Sequence, residues 1–114
     1  MQSTRPISWF KAALKDFGMF PEGAQSILLA ALTIAAEGGK ADIAKPMHGM
    51  GSGVLELALR FRGDAYRVVY AVQLADELWI LHAFQKKSRR GIKTPEHEVA
   101  LVRDRLKKLK EMLR

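Results

Sequence analysis

Basic side chains recur on three neighbouring segments of the sequence that have the composition of strands. Arg60 and Arg62 end the first segment, Arg67 lies in the second, and Lys86 and Lys87 follow the third. The guanidinium of arginine presents a planar fork of donors that fits a phosphate, and lysine adds a compact positive charge. Such groups stabilise the negative charge that develops on phosphoryl oxygens during phosphoryl transfer. The spacing therefore predicts an anion-binding site, provided that the fold brings the three segments together.

Strands joined by short turns would bring these three basic segments together. Alternation and a high content of Leu, Val and Tyr predict strands over 54–62, 65–74 and 78–85. Connections this short permit only antiparallel neighbours, so the three strands form a meander.

Helices are predicted on either side of the meander. A brief strand over 7–10 is followed by a helix that starts at Pro21-Glu22, where proline suits the first turn, and ends at Gly38-Gly39. A second helix follows Thr94-Pro95, with the threonine as its cap, and carries one apolar stripe.

The turn between the first two strands decides which side chains face each other. If Gly63-Asp64 is a two-residue turn, Arg60 lies opposite Arg67 on the less apolar face. Like charges in directly opposite positions destabilise a sheet. Either Glu56 and solvent relieve this repulsion, or a bound anion does. The sequence does not set the register of the third strand, so which of the two lysines after it faces the site stays open.

The chain has 114 residues, enough for one domain with a hydrophobic core, and its net charge of +7 is unevenly distributed. Residues 1–84 hold eight basic and eight acidic residues, whereas residues 85–114 hold eleven basic and four acidic residues. A localised positive field attracts nucleic acid or another polyanion. A solvated, basic carboxy-terminal helix is the alternative explanation.

Residue types that are missing exclude several classes of function. The sequence has no cysteine, which excludes disulfides, thiolate nucleophiles and cysteine-ligated zinc. No apolar run reaches the ~18 residues of a membrane span, and the amino terminus lacks the apolar region of a signal peptide. No histidines or carboxylates have metal-ligand spacing, so neither a metal nor a cofactor is predicted. We expect a cytoplasmic protein that has no membrane partner.

Histidine is the side chain best suited to move a proton near neutral pH, and the chain has three. His48 lies in the glycine-rich segment 45–53, which either cradles a phosphate or leads flexibly into the first strand. His82 lies among apolar residues of the third strand, where it is either a catalytic base or a buried structural residue. His97, in the second helix, is the third candidate.

The order of these motifs resembles the RelE/ParE superfamily of toxins from type II toxin–antitoxin systems, and most closely its HigB-like, phage-derived branch. The motifs are Lys-Pro-Met-x-Gly-x-Gly-x-Gly at 45–53, Tyr-Arg-Val-Val-Tyr at 66–70, Phe-x-Lys-Lys-Ser at 84–88 and Lys-Thr-Pro at 93–95. The resemblance implies a single domain over 1–114 with an α/β (α+β) fold. Its sheet would be small, twisted and antiparallel, with three to four strands, amino-terminal helices and a carboxy-terminal helix.

The resemblance also implies a function. It is that of a ribosome-dependent endoribonuclease, an mRNA interferase that needs no metal ion and inhibits translation. The ribosome and mRNA would be its partners, and a cognate helix-turn-helix antitoxin would neutralise it in a hetero-oligomer. The catalytic residues would be Arg67, Arg60, Lys86 and Lys87, with His82 as a further candidate. The residues that bind RNA would be Arg62, Lys45, His48, Arg89, Arg90 and Lys93.

Two other functions stay open from the sequence. A ParE-like toxin would share the fold and inhibit DNA gyrase without a catalytic cluster on its sheet. A non-catalytic, phage-related protein would use the same basic residues to bind nucleic acid without cutting it. The basic residues on the strands favour the nuclease over the ParE-like toxin.

Overall fold

The computed structural model describes residues 4–86 and 93–113. Its elements in chain order are β1 (Ile7–Trp9), α1 (Lys11–Phe17), α2 (Glu22–Ala36), β2 (Ala44–Pro46), β3 (Val54–Phe61), β4 (Asp64–Leu74), β5 (Glu77–Lys86) and α3 (Glu96–Met112). The five strands form one sheet in the order β1-β5-β4-β3-β2. None of the helices in these two ranges has the length and apolar character needed to cross a membrane.

The predicted mixed fold, with its meander, amino-terminal helices and carboxy-terminal helix, is confirmed. The sheet has five strands, one more than the upper limit of the prediction. The additional strand β2 lies partly in the segment predicted as a loop. It is a strand because it pairs with β3, and its sequence has no alternating pattern that would predict it. At the other edge, β1 pairs with β5 in parallel.

The predicted register between β3 and β4 is wrong by two residues. Arg60 lies opposite Ala65, and Arg67 lies opposite Ala58. The two turn residues are Arg62 and Gly63, with φ of 51° and 86°. Two positive φ values are typical of the turn that matches the twist of a hairpin, and this turn takes glycine in second place. Each arginine therefore faces an alanine, and the repulsion between directly opposite arginines does not arise.

The sheet is covered on both faces. One face packs against α1 and α2, around Leu57, Val68 and Ile80. The other face packs against α3, where Val69 and Val102 are fully buried. Because a shift of two residues leaves each side chain on its face, the predicted division into an apolar and a polar face is retained. The polar face is the one that α3 covers.

Candidate active site

A buried ion pair lies at the centre of the face under α3. Glu56 and Arg67 are only 2% and 5% exposed. Arg67 Nη1 donates to Glu56 Oε1 at 2.8 Å. They reach each other diagonally, because Arg67 lies opposite Ala58, two residues along β3 from Glu56. A buried carboxylate is costly unless it is paired in this way.

The second oxygen of this carboxylate is bound from the segment that precedes α3. Thr94 Oγ1 donates to Glu56 Oε2 at 2.5 Å. The sequence predicts Thr94 as the cap of α3, and that prediction is wrong: Pro95 takes the cap position and makes no side-chain cap hydrogen bond. The Thr94 hydroxyl instead connects the start of α3 to the ion pair through this hydrogen bond.

Two lysines add positive charge to the ion pair. Lys86 is 5% exposed and lies beside Arg67 on the face under α3, opposite Ala65. Lys45 lies opposite Glu56 on β2. Burial lowers the pKa of the Lys86 ammonium, the charges of Arg67 and Lys45 lower it further, and Glu56 opposes them. We call Glu56, Arg67, Lys86 and the half-buried Lys45 the buried cluster, in which three cations accompany one carboxylate.

The lowered pKa of Lys86 predicts a pH dependence of stability. Between the lowered value and the ordinary value of 10.5, the unfolded chain binds more protons than the folded chain. The free energy of unfolding therefore increases as pH rises through this window. Lys86→Met removes that gain, so we expect the wild type to become more stable relative to K86M as pH rises towards 10.5. Urea unfolding across a pH series measures the difference, and a constant difference would contradict the assignment.

His82 belongs to a second buried network on the same face. Its Nε2 lies 2.9 Å from Glu98 Oε1, and its Nδ1 lies 3.3 Å from Arg105 Nη1. Arg105 Nη1 also donates to the carbonyl oxygen of Leu81 at 2.8 Å. Leu81 has no partner residue on β4, because the register between β4 and β5 shifts there. Its carbonyl oxygen can therefore accept a hydrogen bond from a side chain. Both nitrogens of the His82 ring therefore have partners from α3.

The structure brings only some of the predicted site residues together. Arg67, Lys86 and His82 are buried on one face of the sheet, and the half-buried Lys45 lies opposite Glu56 on the edge strand β2. Arg60 shares this face but is exposed at the end of β3.

The remaining predicted residues lie elsewhere. The Arg62 guanidinium stands 5.2 Å from the centre of the Phe61 ring, which packs with the opposite face of the sheet. His48 and Lys93 are exposed, and so is the candidate base His97. The predictions for Lys87, Arg89 and Arg90 lie outside the described residues.

Three members of these networks were missed as site residues by the sequence. They are Thr94, Glu98 and Arg105, and Glu56 was considered only as a relief of repulsion. Glu98 and Arg105 are seven residues apart and so share one side of α3 with its apolar stripe. Charged residues on the apolar side of a helix were the available signal. Among the described residues, no three histidines or carboxylates are grouped closely enough to hold a metal ion.

Most of the sequence matches one known family. Residues 15–107 match the family model described as phage-derived protein Gp49-like. No curated protein matches the sequence at a significant level.

Two solved structures resemble the fold. The toxin RelE of E. coli, a mutant solved in the free state, matches with a TM-score of 0.60 at 17% identity, over 76% of this chain and 88% of that chain. The toxin–antitoxin complex RelBE2 of Mycobacterium tuberculosis matches with a TM-score of 0.51 at 14% identity, over 77% of this chain and 98% of that chain. Both similarities concern the fold. Together with the family match they confirm the resemblance stated from the sequence: the chain belongs to the phage-derived, Gp49-like family and has the fold of RelE-type toxins.

Proposed function

We propose that this chain is the toxin of a type II toxin–antitoxin system and cleaves mRNA on the ribosome. The observation that carries the proposal is the buried cluster, in which three cations accompany the carboxylate of Glu56. Its excess positive charge suits a phosphodiester, and the carboxylate supplies a group that can accept a proton. The fold supports the proposal, because one of these solved structures is described as a toxin and the other as a toxin–antitoxin complex.

The cluster supplies each group that metal-free RNA cleavage requires. Glu56 takes the proton of the 2′-hydroxyl as its oxygen forms a bond to phosphorus. Arg67 and Lys86 hold the non-bridging oxygens, on which negative charge develops. The bond from phosphorus to the 5′-oxygen breaks, and Lys86, whose pKa is lowered by burial, donates a proton to that oxygen. The products are a 2′,3′-cyclic phosphate and a 5′-hydroxyl.

Access to the cluster depends on the segment before α3. Arg67 and Lys86 are each 5% exposed, and the Thr94 hydroxyl occupies one oxygen of Glu56. For RNA to bind, Thr94 releases Glu56 and the start of α3 moves away from β3. This requirement would explain a dependence on the ribosome. The ribosome would hold the mRNA in the conformation in which it displaces Thr94 from Glu56.

His82 is the alternative base. Its two ring nitrogens lie next to Glu98 and Arg105, so it would have to leave both partners to take a proton. Glu56 lies beside Arg67, the residue assigned to the phosphate, and loses only its contact with Thr94, which RNA binding displaces in any case. We therefore assign proton removal to Glu56 and the positioning of β5 under α3 to His82.

The partners follow from the same proposal. The RelBE2 relative is described as a toxin–antitoxin complex, and a helix-turn-helix antitoxin is the expected partner of this chain in a hetero-oligomer. A target on the ribosome places the protein in the cytoplasm.

Induced expression tests the proposal against the gyrase alternative. We expect growth arrest, loss of translation and new mRNA 5′ ends within coding regions, with plasmid supercoiling unchanged. Co-expression of a helix-turn-helix protein encoded next to this chain is expected to restore growth. Supercoiling defects with intact mRNA would select the ParE-like function instead. RNA binding without growth arrest would select the non-catalytic protein.

A further inference from the structure

A groove runs between α3 and the glycine-rich loop, which we define here as residues 47–53. Two adjoining pockets of about 190 and about 300 Å³ form it, and Met50, Leu106 and Lys110 line both. The proposed cleavage uses none of these residues.

One wall of the groove carries a row of positive charges. Arg103, Lys107 and Lys110 line the pockets at spacings of four and three residues, so they share one side of α3, and we call them the α3 stripe. All three are exposed, and none of the described residues that line the pockets is acidic. On another side of the helix, Lys108 pairs with Asp104 at 3.1 Å. Asp104 therefore offsets the charge of Lys108 on that side, whereas the stripe presents three positive charges to the groove.

The remaining surfaces of the groove combine apolar and hydrogen-bonding groups. Met50 and Leu106 are buried beneath it and present an apolar floor. The opposite wall carries Ser52 and Gln73, whose Oγ and Oε1 atoms are 3.5 Å apart. An apolar floor suits the face of a base, an amide and a hydroxyl suit its edge, and cations suit phosphates.

The groove lies near the buried cluster on the same face of the sheet. Lys45 lies opposite Glu56, and the glycine-rich loop begins directly after β2. At Gly49 the loop lies next to the end of the Arg103 side chain, since a Cβ added there would lie 3.8 Å from Arg103 Nη2. On β4, Ala71 in the groove is four residues from Arg67, a distance of about 13 Å along the strand. An RNA strand held at the cluster therefore reaches the groove within a few nucleotides.

We propose that this groove is a second RNA subsite, which binds single-stranded RNA adjacent to the nucleotides that are cut. The phosphates lie on the α3 stripe, and one base lies over Met50 and Leu106 near Gln73. This inference rests on the proposed function, because RNA is the expected ligand only if it is the substrate. An acidic peptide would also match the charge of the stripe, but the short distance to the cluster and the Ser52–Gln73 wall favour RNA.

A binding experiment with matched charge variants tests the subsite. The groove variant is R103Q/K107Q/K110Q, and the control K11Q/K15Q/K40Q removes the same charge from exposed positions outside the groove. The probe is a short, labelled, 2′-O-methyl RNA oligonucleotide that cannot be cleaved, and its affinity is measured by fluorescence anisotropy over a salt series. Three lost phosphate contacts reduce the slope of log affinity against log salt by about 2, at about 0.7 for each contact. We expect this change, with affinity weakened on the order of tenfold, in the groove variant and not in the control.

The outcomes separate the subsite from the cleavage proposal. Equal slopes and affinities for the groove variant and the control would overturn the subsite, even if mRNA is cleaved. Binding of a polyglutamate peptide that depends on the stripe, with RNA binding unchanged, would overturn it in favour of an acidic partner. A groove effect in a protein that does not cleave mRNA would support the subsite and count against the cleavage proposal alone.

Discussion

Replacing Arg67 by alanine is expected to reduce ribosome-dependent mRNA cleavage by about 10²–10³-fold. Arg67 is held in place by Glu56, and its donors are oriented before RNA arrives. A buried, oriented guanidinium stabilises the developing charge on the phosphate more strongly than one in water. The measurement is the rate at which mRNA fragments appear with purified ribosomes and excess protein.

Two further variants show whether the effect belongs to the site. Arg67→Lys keeps a cation beside Glu56 and loses the planar fork, so we expect cleavage to fall by about tenfold or more in a folded protein. Lys11→Ala removes an exposed cation from α1 and is expected to leave the rate unchanged. Equal rates for the wild type and the two Arg67 variants would remove Arg67 from the mechanism.

The second large effect concerns stability. Arg67→Met leaves Glu56 as a buried carboxylate without this partner, and we expect the free energy of unfolding to fall by about 3–5 kcal/mol. Glu56→Leu leaves the Arg67 guanidinium without its carboxylate and is expected to cost a similar amount. A domain of this size has about 5–15 kcal/mol of stability in total, so either change removes a large part of it.

The double variant E56L/R67M separates the pair from its surroundings. Because both charges are gone, we expect it to recover most of the stability that either single variant loses. Urea unfolding at pH 7 gives the four free energies of this cycle. Losses that simply add in the double variant would show that the two charges do not stabilise each other.

The architecture follows largely from local patterns. Alternation in β3, the β-branched and aromatic residues of β4 and β5, and the signals at Pro21 and Gly38 predict these elements within one or two residues. The register between β3 and β4 cannot be read from these patterns, because Gly63 can take either central position of a two-residue turn. The structure has it second, after Arg62. The same residues thus share a face, but each has a different neighbour across the strands.

The site is only partly encoded in local patterns. Parity along the strands places Arg67 and Lys86 on one face, as the sequence predicts once the register is known. Thr94 reaches Glu56 across 38 positions of sequence, and Arg105 reaches His82 across 23. These contacts depend on how α3 is rotated and placed over the sheet, which packing of Val102, Leu106 and Leu109 decides. No spacing in the sequence contains that information.

The chemistry of the fragment ends tests the central claim most directly. In a reconstituted translation reaction, the native protein should yield mRNA fragments with 2′,3′-cyclic phosphate and 5′-hydroxyl ends, and only when ribosomes are present. Glu56→Gln, which keeps the size of the side chain and removes its basicity, should lower the rate by about 10²–10⁴-fold, whereas His82→Gln should lower it far less. Cleavage by folded E56Q at the native rate, or no cleavage by the native protein on translating ribosomes, would contradict the assignment of the buried cluster as the active site.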